Sequence, residues 1–573
     1  MFFLARSVLI GFLFGLGWRI DSFALLSLIG MGLFLHEQLK HSRFLTCASN
    51  AILVGYFGFL TANGWMQWTV DSVVQLSDFK SLLVVHGIHL LHGGSFLLFA
   101  TVWWCCRKIS PYGWLLCPAI WLVQEAIYPA MFPMRQGCLL LQLQPMTQIS
   151  AIAGVAGVTL QAVMLASLIP LGLRFLHGGR TRSNGVADSG PSCPTQLPTA
   201  NTAKIASLAV LLMTALNFGW GSLRISQLNQ AIDTEIAKAD NVNIALLQGP
   251  TEYATYHQDI MKRSRQQAQN SDLIIWPECS IGQYHQSLNC FDDELKVLLN
   301  SVGVDDRFQP WPKPDCHLLA GGYSWTGDAT KRKIDQKYVS AYLIDKSETV
   351  VGRHDKVQLM PGGEFIPGKA WFPWLTDWLG QGNVQEEYGA GYQVRVDPSA
   401  VPLSRGPAAK PVGSVGGLSI GAMLCCEDMH PKIARQLTNQ GADLLVCLAN
   451  GMSFDSESAL RQHFNISRFR AIENNRYFIR CGSTGVSCLI SPTGQIVSVL
   501  PCESEGTLNL KIPTGKRERT IYSSIGDSLS IASGIVLACF PFFAFWQSRS
   551  RQNSTQLQMA SKKVPAAERT PNT

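Results

Sequence analysis

The chain opens with long apolar runs separated by short polar breaks. The runs cover roughly residues 2–18, 23–36, 44–64, 81–105, 112–131, 149–173 and 204–222, and one more, "SLSIASGIVLACFPFFAFW", lies at 528–546. A hydrocarbon core about 30 Å thick takes about 20 apolar residues in a helix, so the first two runs are short and the rest adequate. A cleaved signal peptide fits the first run poorly, because equally apolar segments follow it at once. The pattern predicts eight transmembrane helices, about seven within residues 1–222 and the last within 519–547.

Between residues 240 and 513 the pattern changes. Short β-rich runs appear: "VNIALLQ", "DLIIWPE", "CHLLAGGYS", "YVSAYLID", "LSIGAMLCC", "ADLLVCLAN", "YFIRCGS" and "VSCLIS". Amphipathic stretches such as "HQDIMKRSRQQAQ", "FDDELKVLLNSVG" and "ALRQHFNISRFRAIENN" separate some of them. Apolar strands with intervening helices predict a layered α/β domain between the seventh and eighth crossings. Residues 178–203 are rich in Gly, Ser and Pro and read as a flexible loop, and 548–573 as a polar tail.

Composition supports the membrane reading. Of 573 residues, 47% are apolar and only 15% charged, and the mean hydropathy is +0.12. An ordinary soluble enzyme is less apolar than this. The net charge of +7 brings no basic stripe with interleaved aromatics, so nucleic acid is not an expected partner. The charge marks topology instead. Loops after the second, fourth and sixth runs carry Lys40, Arg43, Arg107, Lys108, Arg174, Arg180, Arg182 and Lys204, against Arg19, Lys80 and Arg135 in the others. The positive-inside rule places the rich side, the N-terminus and the 548–573 tail in the cytoplasm, and the 240–513 domain on the opposite face.

The sixteen cysteines leave the redox compartment open, since many lie in or beside apolar runs where a thiol acts as a small hydrophobe. No C-x-x-C pair occurs, which argues against zinc. Cys279 and Cys290 could bridge in an oxidising compartment. Within the bundle, Glu125 stands in an apolar run, where an acid either makes a structural pair or touches substrate. His86, His89 and His92 read as inter-helix hydrogen bonding or an interfacial series rather than a metal site.

Three segments of the α/β domain end in reactive residues. "DLIIWPE" stops at Glu278, "GRHDKVQLMPGGEF" carries Lys356 and Glu364, and "IGAMLCCED" stops at Cys425 and Cys426. An apolar strand that ends at a reactive side chain presents it at the sheet edge, where α/β proteins place their chemistry. A carboxylate to take the thiol proton, a thiolate to attack a carbonyl and an ammonium for the oxyanion form an acyl-transfer set. Taken singly, each residue has a plain reading as a solvated strand end, a surface lysine or a buried thiol. Only the joint pattern favours chemistry.

The segments resemble the nitrilase superfamily: "WPE" its glutamate motif, "HDKVQLMPGGEFIPG" its lysine motif and "MLCCED" its cysteine motif, in the family's order. The likeness is closer to the bacterial apolipoprotein N-acyltransferases, through "VQLMPGGEFIP", "RQHFNISRFRAIENNRYFIRCGSTGVS", "PAIWLVQEAIYPAMFP" and "IYSSIGD". The stretch near 375–412 reads as an insertion. The resemblance implies a nitrilase-like αββα sandwich inserted in an eight-helix transmembrane bundle of the bacterial inner membrane, its catalytic domain facing the periplasm.

It also implies a triad of Glu278 as base, Lys356 at the oxyanion and Cys425 as nucleophile. Cys426 takes the place of a family tyrosine and lends its backbone N–H, Glu427 is the acid that follows, and Glu364 orients Lys356 or sits beside the nucleophile. A helix beginning after "CCED" is expected to lower the Cys425 pKa, and strand alternation to turn the Cys426 thiol the other way. The implied reaction moves an acyl chain from a phospholipid donor through a thioester to the α-amine of a diacylated lipoprotein acceptor. No metal or organic cofactor is implied, and a monomer is expected. The chain departs from the family at Gly362, where a Phe is usual, at Cys426, and in "NGMSF" (450–454), which lacks a Trp. A membrane-anchored nitrilase or amidase acting on small amides is the alternative, and a non-catalytic relative the other.

Overall fold

A computed structural model describes the chain except residues 1, 75–77, 111, 178–197, 239, 250–252, 282, 286–289, 292–315, 329–332, 348–349, 362–363, 365–370, 375–377, 379–410, 452–453, 455 and 563–573. The helix expected within 291–303, most of the 178–203 loop, most of the 375–412 insertion and the end of the tail lie outside the described residues.

Among the described residues, seven helices are long and apolar enough to cross a membrane: Phe2–Arg19, Asp21–Lys40, Phe44–Ala62, Asp78–Ile109, Ser150–Leu176, Ala200–Ala237 and Ser528–Gln547. They match seven of the eight expected crossings. The eighth, expected over 112–131, is the shorter apolar helix Gly113–Ile127. Tyr128 ends it in an extended conformation at ψ 127°, because a residue that precedes a proline, here Pro129, is pushed out of the helical region. The outward faces carry large exposed apolar side chains, such as Leu208, Leu212, Leu216, Ile535 and Phe542, which need an apolar solvent.

Glycines let these helices approach. A Cβ on Gly55 would stand 2.6 Å from the Gly93 carbonyl oxygen of the facing helix, the close contact that small residues permit in membrane bundles. Gly154, at φ +65°, kinks the helix Ser150–His177. That turn leaves the Val155 N–H free of the helix ladder, and it donates to Glu473 Oε1 of the α/β domain at 2.9 Å.

The domain holds fourteen described strands in two sheets. The first contains β1 (Asn241–Gln248), β2 (Leu273–Ile275), β3 (Gln283–His285), β4 (Cys290–Phe291), β5 (His317–Asp328), β6 (Lys333–Ile344), β7 (Val350–Asp355) and, paired antiparallel to β1, β14 (Gly506–Pro513). The second, between β7 and β14 in sequence, runs in the order β13-β12-β11-β10-β9-β8, with β8 Gly413–Val415, β9 Leu418–Leu424, β10 Leu444–Ala449, β11 Tyr477–Gly482, β12 Ser487–Ile490 and β13 Ile496–Leu500. Each quoted β-rich run overlaps one of these strands. β1, β2 and β5 run parallel, as do β9, β10 and β11.

Period-two alternation sorts the side chains into layers. Ile244, Leu246, Leu273 and Ile275 of the first sheet meet Ile420, Ala422, Leu424, Leu444 and Val446 of the second. The alternate residues face outward onto helices: Ala245, Leu247 and Ile274 onto Ile260 and Met261 of the helix Tyr253–Gln267, and Met423, Leu445 and Cys447 onto Ile433, Leu437 and Phe464. Both faces of both sheets are therefore apolar and covered, which gives a four-layer αββα sandwich and explains why the strands read as continuous apolar runs.

The sandwich rests on the bundle. Gln462, on the helix Glu457–Ser467, accepts from Trp65 Nε1 at 3.1 Å. It donates to the Trp18 and Ala62 carbonyls at 3.1 and 2.9 Å. Asn465 donates to Asp21, and Gln148 to the Thr493 carbonyl. Cys426, Met429, Ile466, Phe469 and Ile472 belong to the same apolar cluster as the membrane helices.

Candidate active site

Three strands of the sandwich stop at one place. β2 ends at Ile275, and Trp276 and Pro277 carry the chain to Glu278; Pro277 offers no N–H to extend the ladder. The sequence reading took the strand on to Glu278, whereas the carboxylate stands in the turn beyond it. Gly321 of β5 makes room, since a Cβ there would lie 2.6 Å from Glu278 Cα. β7 ends at Asp355, and Lys356 follows, its N–H donating to the Val339 carbonyl at 2.8 Å.

Lys356 is buried, with Nζ between two carboxylates, 3.1 Å from Glu278 Oε1 and 2.6 Å from Glu364 Oε1. Each acid is fixed by its second oxygen. Glu278 Oε2 accepts the Asn450 N–H at 3.0 Å, and Glu364 Oε2 accepts the Met360 N–H at 2.8 Å. Burial opposes the ammonium, but the two carboxylates outweigh it and hold Lys356 well above the usual lysine range. Glu278 is pushed up, chiefly by burial, with Glu364 adding to the rise and Lys356 opposing it. A carboxylate with a raised pKa is a better proton acceptor than an exposed one.

The cysteine segment differs from expectation in two respects. β9 ends at Leu424, and Cys425–Met429 form a short 3₁₀ helix. Cys425 takes φ +46°, a left-handed conformation that costs a non-glycine residue about 1–3 kcal/mol and clusters at functional sites. The two thiols diverge because of this turn and not by strand alternation. Cys425 is half-buried, while the Cys426 thiol is buried and donates to the Gln358 carbonyl at 3.2 Å. The second correction concerns acidity. The Cys425 thiol is raised, not lowered, by burial first and the Glu278 charge second, with Lys356 opposing. The following α-helix, Pro431–Asn439, begins too far along to reverse this.

Glu427 bolts the cysteine turn to the lysine loop. One oxygen accepts from Leu424 N at 2.9 Å and meets His354 Nε2 at 2.9 Å; the other accepts from Val357 N at 2.7 Å and Gln358 N at 3.2 Å. Burial raises Glu427, but His354 and these N–H donors bring it below the usual carboxylate range. Sequence reasoning named Glu427 without its partner. His354 was missed because its partner lies in another segment, although "GRHDK" puts it two residues before Lys356.

Glu125 and the histidine series belong to the bundle. Glu125 accepts from Trp121 Nε1 at 2.9 Å, Gln136 N at 2.8 Å and Thr159 Oγ1 at 3.1 Å. His86 Nδ1 lies 2.7 Å from the Tyr56 hydroxyl, and His92 Nε2 accepts from Met131 N at 3.1 Å. Cys279 is a free thiol 3.1 Å from the Tyr323 hydroxyl, and the side chain of Cys290 lies outside what the structure describes.

The carbon–nitrogen hydrolase family matches residues 243–522, the span that holds Glu278, Lys356, Glu364, Cys425 and Glu427. That span is similar to a carbon–nitrogen hydrolase domain. It is 24% identical to the apolipoprotein N-acyltransferase of Geobacter metallireducens over 404 residues, 70% of this chain and 67% of that protein. It is 30% identical to apolipoprotein N-acyltransferase 1 of Treponema pallidum over 273 residues, 45% of each chain. Against the Rickettsia bellii enzyme of the same name it is 28% identical over 48% of this chain and 47% of that one. The chain thus spans about half the length of most of these relatives. Among solved structures, an amidase from Nesterenkonia sp. is 18% identical with a TM-score of 0.30, covering 48% of this chain and 92% of that one. The Geobacter match extends past the carbon–nitrogen hydrolase domain into the membrane bundle, since that domain occupies only residues 243–522.

Proposed function

We propose that the chain is an integral-membrane N-acyltransferase that moves a fatty acyl chain from a phospholipid to the α-amine of a diacylglyceryl-cysteine lipoprotein. The observation that carries this reading is the seat of the nucleophile. Cys426 and Met429, which follow Cys425 in its turn, pack in one apolar cluster with the membrane helices. A site built into the top of a membrane bundle suits a substrate whose reacting ester lies at the membrane surface. An amidase for small soluble amides has no need of that.

In the first half-reaction Glu278 takes the Cys425 proton and the thiolate attacks the ester carbonyl. The oxyanion is met by Lys356, which has a third N–H beyond those given to Glu278 and Glu364, and by the Cys426 N–H. That N–H is among the first of a 3₁₀ helix, which have no partner within it. Collapse breaks the ester C–O bond, and the lyso-phospholipid alkoxide leaves with the proton from Glu278. In the second half the amine attacks the thioester, Glu278 accepts a proton from its nitrogen, and collapse forms the amide. The thiolate leaves and recovers that proton. Glu364 holds Lys356 throughout.

The test is the full-length protein in phospholipid vesicles given a diacylated lipopeptide with a free α-amine. The reading expects a triacylated peptide and an equal amount of lyso-phospholipid. Hydrolysis of small amides at a comparable rate, with no triacylated product, would favour the amidase.

A further inference from the structure

Glu427 is one of two adjacent buried acids behind the nucleophile, and the second serves a different side. Asp428 Oδ1 lies 2.6 Å from His463 Nε2, and its Oδ2 accepts from Arg480 Nε at 3.3 Å. Arg480 Nη2 lies 3.1 Å from His463 Nδ1, which closes a three-membered ring. All three side chains are buried. The ring fixes the imidazole as the tautomer that donates from Nε2 to Asp428 and accepts at Nδ1 from Arg480. A second proton on His463 would set Nδ1–H against the guanidinium. Burial and Arg480 accordingly hold His463 below the usual histidine range, against the pull of Asp428.

His463 also faces the membrane. The residue before it, Gln462, is tied to the ends of two membrane helices through Trp18 and Ala62, and to Trp65. The ring of Phe132, from the segment that follows the short apolar helix, packs edge-on against the imidazole with centroids 6.2 Å apart. On its other side the ring ends at the turn of Cys425. From Asp428 the main chain runs back through Glu427 and Cys426 to the nucleophile's left-handed φ, and Cys447 Sγ donates to the Cys425 carbonyl from beneath at 3.5 Å.

We infer that His463 is a positioning residue, through which the seating of the domain on the membrane bundle sets the conformation of the Cys425 turn. A strained residue persists only where its surroundings over-determine it. Glu427 supplies that constraint from the lysine loop, and the Asp428–His463–Arg480 ring supplies it from the membrane side. The inference rests on Cys425 being the nucleophile and not on which ester or amine it serves.

The experiment measures two rates on full-length protein in phospholipid vesicles: alkylation of Cys425 by iodoacetamide, quantified on its peptide, and acyl transfer resolved into kcat and KM. His463→Ala is expected to slow Cys425 alkylation about tenfold and to lower kcat with KM nearly unchanged. His463→Gln, whose amide both donates and accepts, is expected to recover most of both rates. Gln462→Ala, which loosens the seat without touching the ring, is expected to slow alkylation several-fold in protein that remains folded. Wild-type alkylation in either alanine variant overturns the inference. So does a His463→Gln protein that folds but is as slow as the alanine variant. If His463→Ala does not fold, the glutamine and Gln462→Ala variants decide in the same way. Alkylation that responds as expected in a protein that transfers no acyl chain would reject the acyltransferase reading and leave this inference standing.

Discussion

Cys425 stands in a left-handed turn, its thiol pushed up by burial and by the Glu278 charge. Such a thiol gains nothing from a depressed pKa and depends on a base at the moment of attack. Glu278→Gln should therefore abolish thioester formation. Lys356→Ala should cost about 3–4 kcal/mol of transition-state stabilisation, the scale of losing one oxyanion donor, read as a fall of two to three orders of magnitude in single-turnover loading. Cys425→Ala should end loading, while Cys426→Ala, which keeps the amide, should retain it. Loss in Cys426→Ala alone would shift the nucleophile by one residue.

The Glu427–His354 pair makes a further prediction at this scale. His354 is raised: burial lowers it, but Glu427 outweighs burial. Its share of stability is present below its ordinary value of 6.5 and is lost as pH rises through the raised one. Glu427 is lowered, so its share is present above its ordinary 4.5 and is lost as pH falls through the lowered value. The melting temperature of the wild type should exceed that of Glu427→Gln most between about pH 4.5 and 6.5, with the margin narrowing on both sides. A margin independent of pH would contradict the pairing. At this scale the sequence displayed the candidate reacting groups, because each sits in a short local motif. It did not display His354, Asp428 or His463 as partners, because those pairs join segments far apart in the chain and only the fold brings them together.

Among the elements, the strands were legible as apolar runs because both faces of each sheet are covered. Their ends were less so: Pro277 stops one and the 3₁₀ turn at Cys425 another, and in both cases a candidate catalytic residue lies just past the end. The short helix over 117–127 was overestimated, since the apolar run continues to residue 131 although Pro129 has already ended the helix. The kink at Gly154 left no mark in the apolar pattern. It yields a firm expectation nonetheless, since a Cβ there would meet the Tyr522 ring at 2.5 Å and φ is +65°. Gly154→Ala should destabilise the protein by at least about 1–3 kcal/mol, the cost of a non-glycine residue at this positive φ with ψ near 180°. Chemical denaturation in detergent would show this, and an unchanged midpoint would contradict the kink.

Over the whole molecule, the helix ends that bind the sandwich fall at one end of the bundle. They are those at Arg19, Ala62, Gln148 and Val155. The connections that carry Lys40, Arg43, Lys108 and Arg174 lie at the other. We propose that the basic end is cytoplasmic and the sandwich periplasmic. An impermeant thiol reagent on intact cells should reach single cysteines introduced at exposed sandwich positions and spare one introduced within 178–203. Labelling of both from the same side would contradict the arrangement.

The central claim is that Cys425 carries the acyl chain between a membrane lipid and an amine. Its most direct test is the mass of the Cys425 peptide after the full-length protein has met phospholipid vesicles without an acceptor. The account predicts a hydroxylamine-labile acyl group on Cys425, stable towards water and discharged on adding a diacylated lipopeptide, whose mass rises by the same acyl group. An acyl group on Cys279 or Cys426 instead, or one released as free fatty acid at the same rate with or without the lipopeptide, would contradict it.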